Sequence, residues 1–199
     1  MKYSIDTLCV QQNKEKRSTQ PHVLPLYATS SFAMDNLEEG IEIFSGQRKG
    51  HVYGRYGNPT IDTVAAKIAA MESFGCDFEA AALFTSSGMS AISTLFLGLL
   101  KHGEALLTQG NLYGGTTELL LKILEPQGIE VVFQDLKKLD EVESLLKAKK
   151  NIRLIFGETP ANPTMACVDL EALATLGKKY EVLTAVDNTF ASPYLQRPL

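Results

Sequence analysis

The sequence has few of the residues that build disulfide frameworks or metal sites. Its three cysteines, Cys9, Cys76 and Cys167, are odd in number and far apart, and its three histidines are equally isolated. Closely spaced cysteines and histidines are the usual signature of structural zinc sites and of disulfide-rich folds. The composition therefore argues against both, and it favours a reduced, cytoplasmic protein with no bound metal.

The sequence also lacks long apolar runs and clusters of basic residues. No apolar segment reaches the roughly 20 residues that a membrane-spanning helix needs, and Asp6 interrupts the region where a signal peptide would be apolar. The formal net charge of -4 is accompanied by scattered lysines and arginines, which argues against nucleic acid as a partner. The remaining composition is that of a globular chain of 199 residues with one substantial core.

Short apolar runs alternate with helical patterns over most of the chain. The predicted strands span residues 80–84, 104–108, 129–133, 152–156 and 182–186. The predicted helices between them span residues 90–100, 116–124, 139–147 and 170–180. Helical crossovers between strands indicate an α/β fold with a mainly parallel sheet and helices on both faces.

The first 57 residues follow a different pattern. Residues 1–35 have little periodicity and predict an extended arm, and residues 35–38 resemble a capping box that opens a short helix toward Phe44. A turn-rich segment with four glycines follows at residues 46–57. Asn58 and Pro59 then predict a helix start, with Asn58 as N-cap and Pro59 at the first helical position.

In a parallel sheet, ligands bind outside the carboxyl ends of the strands, so the strand-to-helix loops are the candidate sites. Residues 85–89 (TSSGM) have small side chains and open a helix, a combination that can bind an anion through backbone N–H groups. A tight turn that only caps the helix is the alternative. Neither a G-x-G-x-x-G fingerprint nor a G-x-x-x-x-G-K-[ST] loop is present, which argues against a nucleotide.

Three further side chains follow strands in other loops. Tyr113 is flanked by glycines that would let its ring meet a flat ligand, Asn162 offers an amide, and Asp187 ends an apolar run. Taken alone, Tyr113 is typical of an ordinary aromatic, and Asp187 of a helix cap or an ion pair. Together with residues 85–89 they favour a phosphorylated, planar, cationic cofactor such as pyridoxal phosphate, whose protonated ring nitrogen Asp187 would face.

Six motifs carry a resemblance to a known family. They are PLYATSSF at 25–32, YGRYGNPT at 53–60, SSGMSAI at 86–92, LYGGT at 112–116, ETPANPT at 158–164 and VDNTF at 186–190. The chain resembles the pyridoxal-phosphate enzymes of cysteine and methionine metabolism, which include cystathionine γ-synthase, cystathionine γ-lyase, methionine γ-lyase and O-acetylhomoserine sulfhydrylase. The resemblance implies the large domain of a fold-type I enzyme. It also implies γ-elimination or γ-replacement on sulfur amino acids or homoserine esters.

Matched residue by residue, the resemblance implies which groups hold the cofactor phosphate. The backbone amides of Gly88 and Met89, with Ser87 beside them, would bind it within one subunit. Tyr53 and Arg55 would reach the phosphate of the neighbouring subunit across the interface of a homodimer or homotetramer with shared active sites. For Arg55, whose guanidinium suits phosphate, a solvated loop cation is the alternative.

The resemblance also assigns groups to the cofactor ring. Tyr113 would stack on the ring and serve in proton transfer, and Asn162 would hydrogen-bond its phenolic oxygen. Asp187 would hydrogen-bond the ring nitrogen, and Thr189 lies where it could touch the ring. Residues 1–57 would then form an N-terminal arm and interface segment, and residues 58–199 the first part of the cofactor-binding large domain.

Two features bear on the reaction and on the extent of the chain. Methionine γ-lyases usually carry cysteine where this chain has Gly115, so we rank methionine cleavage below reactions of homoserine esters and cystathionine. The family's Schiff-base lysine lies in a Ser-x-x-Lys type segment after the Asp-Asn-Thr-Phe motif, and no lysine before Leu199 has a matching context. We therefore expect the N-terminal part of a longer enzyme. A catalytically inactive cofactor- or partner-binding module and a related aminotransferase are the alternatives.

Overall fold

A computed structural model describes residues 4–10 and 22–199, in two compact units. One unit contains the described residues up to Phe84 together with Leu199, and the other runs from Thr85 to Pro198. The part of the predicted arm at residues 1–3 and 11–21 lies outside the described residues. None of the described helices is long and apolar enough to cross a membrane.

The first unit contains three helices, which are α1 (Ile5–Val10), α2 (Leu37–Phe44) and α3 (Pro59–Glu72). Helix α1 packs against α3, so the prediction that residues 1–35 form only an extended arm was wrong for this segment. Helix α3 begins as predicted, because the Asn58 Oδ1 accepts a hydrogen bond of 2.9 Å from the Thr60 N–H.

Helix α2 begins one residue later than the predicted capping box. Its N-cap is Asn36, whose Oδ1 accepts a hydrogen bond of 2.8 Å from the Glu39 N–H. The Glu39 carboxylate in turn accepts a hydrogen bond of 2.7 Å from the Asp35 N–H. The reciprocal pattern of a capping box is therefore present, with its register shifted by one residue.

Residues 80–84 do not form the predicted strand. The segment has no regular structure, and the side chains of Leu83 and Phe84 are 87% and 46% exposed. A strand needs a neighbour for its N–H and C=O groups, and no strand of the described chain pairs with this segment. An apolar, β-forming composition was therefore not sufficient to make a strand here.

The second unit is built on a four-stranded parallel sheet with the strand order β2-β1-β3-β4. The strands are β1 (Ala105–Thr108), β2 (Glu130–Phe133), β3 (Ile152–Glu158) and β4 (Leu183–Asp187). The helices are α4 (Gly88–Leu99), α5 (Gly114–Leu119), α6 (Leu139–Ala148), α7 (Leu170–Tyr180) and α8 (Ser192–Leu195). A π-helical turn (Leu120–Leu124) and a 3-10 turn (Glu125–Gln127) continue α5. The predicted parallel α/β sheet is thus confirmed.

Alternating side chains of the strands enter two separate cores. Leu106 and Phe156 join a cluster with Phe96 of α4 and the π-helical turn, in which the Phe96 and Phe156 rings meet edge to face at 5.0 Å. On the other face, Leu107 and Ile155 pack with α6 and α7. Helices therefore cover both faces, and because the strands are parallel, their carboxyl ends share one edge of the sheet.

Candidate cofactor site

The loop before α4 has the geometry of an anion site. Ser87 is the N-cap in an extended conformation, and its Oγ accepts a hydrogen bond of 3.1 Å from the Ser90 N–H. The Thr85 hydroxyl donates to the Ser87 carbonyl at 2.8 Å, which fixes the approach to the helix. The N–H groups of Gly88 and Met89 are in the first turn, where an α-helix offers no acceptor for them. They are therefore available to a phosphate.

Tyr113 is held by its backbone and leaves its ring exposed. Its N–H donates a hydrogen bond of 2.6 Å to the Glu158 Oε2, and its carbonyl accepts from the N–H groups of Thr116 and Thr117 at 3.0 and 3.1 Å. The residue is 49% exposed. The start of α5 thus fixes the backbone of Tyr113, while about half of the residue is accessible to a ligand.

The absence of a side chain at Gly115 leaves room for both the Tyr113 ring and Met89 of the predicted phosphate loop. A Cβ at residue 115 would lie 2.7 Å from the Tyr113 Cε1 and 3.1 Å from the Met89 Sδ. The Thr116 hydroxyl lies 4.0 Å from the same sulfur atom. The Tyr113 ring and the Met89 side chain therefore lie on either side of the space that a side chain at residue 115 would fill. Any residue other than glycine there would have to displace one of them.

Asn162 is also fixed by its backbone. Its N–H donates a hydrogen bond of 2.8 Å to the Glu158 Oε1. On the far side of the same loop, the Asn111 amide donates to the Thr164 hydroxyl at 2.6 Å and ties the loop to the one that carries Tyr113. The half-buried Asn162 side chain makes no hydrogen bond with any described residue, so its amide is free to bind a ligand.

Asp187 ends β4 with one carboxylate oxygen engaged. The Thr189 N–H and hydroxyl both donate to Oδ1, at 3.0 and 2.5 Å. Oδ2 accepts no hydrogen bond from the rest of the described chain. Thr189 thus holds the carboxylate in one orientation, while contact of Thr189 with the cofactor ring stays a prediction.

Tyr53 and Arg55 lie in the first unit, in an exposed turn. The Gly54 N–H donates to the Ser30 carbonyl at 2.7 Å, which anchors the turn. The Arg55 guanidinium carbon lies 5.4 and 5.5 Å from the ring centres of Tyr53 and Tyr56, within the range of cation–π contacts. The role of Arg55 toward a neighbouring subunit stays a prediction.

Glu158 is the residue of this region that the sequence patterns did not single out. It lies inside the quoted ETPANPT motif, it is 5% exposed, and it contacts the loops of both Tyr113 and Asn162. The available signal was an acid at the end of an apolar strand, the same signal that identified Asp187. Because burying an acid is costly unless it is hydrogen-bonded or paired, a buried acid indicates that specific donors surround it.

Pyridoxal phosphate fits the residues present. Its phosphate suits the start of α4, its flat ring the exposed face of Tyr113, its phenolic oxygen the Asn162 amide, and its ring nitrogen the free oxygen of Asp187. In each case the backbone is fixed and the binding atom has no partner in the described chain. Among the described residues, no three His, Cys, Asp or Glu side chains are grouped so that they could hold a metal ion.

Known proteins with similar sequences and structures act on sulfur amino acids and homoserine esters. The chain is 42% identical over 199 residues to the L-methionine gamma-lyase of Fusobacterium nucleatum subsp. polymorphum, which covers 100% of this chain and 49% of that protein. It is 36% identical over 196 residues to the O-succinylhomoserine sulfhydrylase of Pseudomonas aeruginosa, which covers 98% of this chain and 47% of that protein. The chain thus spans about half the length of the curated relatives it matches.

The fold matches solved structures of the same group. The crystal structure of the Campylobacter jejuni protein assigned as an O-acetylhomoserine (thiol)-lyase has a TM-score of 0.86 and 28% identity, over 98% of this chain and 46% of that one. That structure contains pyridoxal phosphate linked to a lysine as a pyridoxyl-lysine phosphate. A family model matches residues 6–199, and the chain therefore belongs to the Cys/Met metabolism PLP-dependent enzyme family, whose cofactor is pyridoxal phosphate.

Proposed function

We propose that the complete polypeptide carrying this chain catalyses γ-elimination or γ-replacement on sulfur amino acids or homoserine esters with pyridoxal phosphate. The observation that carries this proposal is the arrangement at the sheet edge. Tyr113, Asn162 and Asp187 each have a fixed backbone and a binding atom without a partner in the described chain. Such preorganised groups are what a bound planar cofactor requires.

Each residue has a separate task toward the cofactor. The N–H groups of Gly88 and Met89 bind the phosphate, and Asn162 orients the ring through its phenolic oxygen. The Asp187 carboxylate accepts a hydrogen bond from the protonated ring nitrogen. It keeps that nitrogen protonated, because a carboxylate stabilises a nearby positive charge. When bound, pyridoxal phosphate supplies an electron sink for the carbanions that form at the substrate carbons.

Tyr113 is the residue we assign to proton transfer. Its ring would stack on the cofactor, and its hydroxyl would carry the proton. γ-Elimination requires a group that takes protons from the substrate and returns one to the leaving group. The support for this assignment is the exposed side chain of Tyr113, whose backbone is fixed at the start of α5.

The lysine that binds the cofactor covalently is, in our proposal, none of those described here. Lys101, Lys150 and Lys179 precede β1, β3 and β4, so they lie at the amino ends of the strands. The candidate site is at the carboxyl ends, along the opposite edge. Lys122 is engaged in an ion pair of 2.7 Å with Glu118. Lys137 and Lys138 follow β2 at the carboxyl edge, and Lys138 forms an ion pair of 3.0 Å with Glu141. We propose that covalent capture uses a lysine from another part of the complete polypeptide.

We further propose that the protein works as a homodimer or homotetramer with shared sites. The support is the exposed turn that carries Tyr53 and Arg55, whose cation has no carboxylate partner in the described chain.

The described cysteines are free thiols, which supports a reducing compartment such as the cytoplasm.

Two substrate classes are compatible with the proposal. Gly115 favours homoserine esters or cystathionine, by the pattern of the family, and we keep these as the first candidates. The 42% identity to an L-methionine gamma-lyase favours methionine as a second candidate. For all of them, elimination converts the substrate and one water into a 2-oxo acid, ammonia and the released γ-group.

The decisive experiment offers each substrate to the complete polypeptide loaded with pyridoxal phosphate. L-Methionine, cystathionine, O-acetylhomoserine and O-succinylhomoserine are supplied with and without sulfide, and 2-oxobutyrate and new thioethers or thiols are measured. The 2-oxo acid indicates elimination, and a sulfur-containing amino acid formed only with sulfide indicates replacement. Tightly bound cofactor without turnover of any of these substrates would instead support the inactive binding module.

A further inference from the structure

Glu158 is a buried carboxylate without a cation. It ends β3, is 5% exposed, and takes part in no ion pair of the described chain. Burying a carboxylate is costly unless its oxygens are hydrogen-bonded. Its own carbonyl also accepts a hydrogen bond of 2.9 Å from the buried Gln109 amide, so the backbone at this point is fixed as well.

Each oxygen of Glu158 accepts a backbone N–H from a different loop. Oε2 accepts from Tyr113 at 2.6 Å and Oε1 from Asn162 at 2.8 Å. Two N–H donors that face the two oxygens fit a carboxylate, whereas an amide in the same place would turn its own N–H groups toward one of them. Hydrogen bonds to a charged acceptor are also the strong ones.

The two residues held in this way offer different groups to the proposed ligand. Tyr113 offers its ring face, and Asn162 offers its side-chain amide. Neither side chain forms a hydrogen bond through its own tip within the described chain, and the two bonds to Glu158 are the ones that join the backbones of these two residues directly to a common group. The Glu158 carboxylate thus joins two backbone positions that are 45 and 4 residues away from it in sequence, beside the Asn111–Thr164 hydrogen bond between the same loops.

We propose that the Glu158 carboxylate is a positioning residue that holds Tyr113 and Asn162 at the spacing the cofactor ring requires. This inference rests on the proposed function for the identity of the ligand, whereas the link between the two loops is independent of it. Glu158 does not touch the ring; it acts through the backbones of the two residues that do.

The test compares Glu158→Gln with the complete wild-type protein, first without cofactor. Amide hydrogen exchange resolved to single residues should be about tenfold or more faster at Tyr113 or Asn162 in the variant, because glutamine can accept only one of the two N–H groups. The amides of β1 should exchange at the wild-type rate. Unchanged exchange at both residues would overturn the proposal.

The second readout is the visible circular dichroism of the bound cofactor, which reports the orientation of its ring. We expect Glu158→Gln to reduce this signal at full cofactor occupancy. Thr108→Val is the matched control, since it removes a buried hydrogen bond of 2.8 Å to the Phe156 carbonyl between β1 and β3 and keeps the Glu158 carboxylate with its two N–H donors. An equal loss of signal in Thr108→Val would show that any loss of a buried hydrogen bond in these strands has the same effect. That result would overturn the proposal.

A second variant covers the case in which Glu158→Gln does not fold. Glu158→Asp keeps the charge but is one methylene shorter, so it should satisfy at most one loop and show faster exchange at the other. Wild-type exchange at both amides in Glu158→Asp would contradict the spacing argument. If the wild-type protein bound no pyridoxal phosphate, the proposed function would fail, and the exchange result would still decide the role of Glu158.

Discussion

Glu158 and Asp187 are register partners at the carboxyl ends of β3 and β4, yet their carboxylates are used in different ways. The first is enclosed, with both oxygens accepting backbone N–H groups. The second keeps one oxygen free, since Thr189 engages only Oδ1. In our proposal, these two neighbouring acids of the same sheet edge have different roles, Glu158 in support of the site and Asp187 in contact with the ligand.

Asp187→Asn should retain the fold and lower turnover by roughly 100-fold or more. Asparagine keeps the oxygen that accepts from Thr189, so local structure is preserved. Its amide cannot stabilise a protonated ring nitrogen as a carboxylate does. Steady-state kinetics with full cofactor occupancy, and far-UV circular dichroism for the fold, measure both effects. Near-normal turnover in the loaded variant would remove Asp187 from this role.

Arg55 should act on the neighbouring subunit. Inactive Arg55→Ala and inactive Asp187→Asn proteins, once their subunits exchange, should regain about a quarter of wild-type activity, because half of the dimers are hybrids with one intact site. The control mixture of Tyr113→Ala with Asp187→Asn should stay inactive, since both residues belong to the same subunit's site. Demonstrated exchange with no recovery in the first mixture would refute the shared site.

Gly115→Ala should disturb the Tyr113 ring. The new Cβ would lie 2.7 Å from the ring, so either the ring rotates away or the start of α5 is strained by about 1–3 kcal/mol. Chemical unfolding and the cofactor's circular dichroism distinguish these outcomes. Gly98→Ala is the control, because a Cβ there meets nothing and should stabilise α4 by about 0.5–1 kcal/mol. A Gly115→Ala protein with wild-type stability and signal would contradict the contact.

The contacts of the Glu143 carboxylate should stabilise the protein at neutral pH, and this contribution should be lost in acid. Hydrogen bonds from Lys179 and then Tyr180 lower the pKa of Glu143 to about 2, from an ordinary value of 4.5. A lowered folded-state pKa contributes stability that is present above pH 4.5 and is lost as the pH falls toward 2. Denaturant unfolding at several pH values should show a smaller acid loss in Glu143→Gln.

Glu171→Gln is the control for this pH dependence, because Glu171 is exposed on the same helix as Lys179. It should leave the slope of stability against pH close to that of the wild type. Equal slopes for the wild type and Glu143→Gln would show that the contacts between α6 and α7 do not carry this dependence.

Much of the fold could be predicted because its signals are local. The Asn58-Pro59 start of α3 and the bounds of α7 (Leu170–Tyr180) follow from cap chemistry and helical spacing, which a sequence contains in full. Four of the five predicted strands formed, each within a residue or two of the expected bounds. The fifth, at residues 80–84, did not form, because a strand is a property of a pair and composition does not supply the partner.

The candidate site was predictable where a side chain carries the chemistry. Tyr113, Asn162 and Asp187 were identified by type and by their position after strands, and the sheet brings their loops to one edge. The role of Glu158 was not predictable, because it depends on hydrogen bonds to backbone groups from a loop 45 residues away. Nearly every residue has the same backbone N–H donor, so the sequence does not indicate which of them will bind a given carboxylate. Only the folded chain shows the pairing.

In the proposed site, the fixed backbones of Tyr113, Asn162 and Asp187 have a thermodynamic consequence for cofactor binding. Ordering a loop residue costs roughly 1–2 kcal/mol of conformational entropy, and here that cost falls on folding rather than on association. Only the side-chain tips remain to be ordered when the ligand arrives. Calorimetric titration should accordingly show a small conformational entropy loss, and the two loops should exchange hydrogen at similar rates before and after binding.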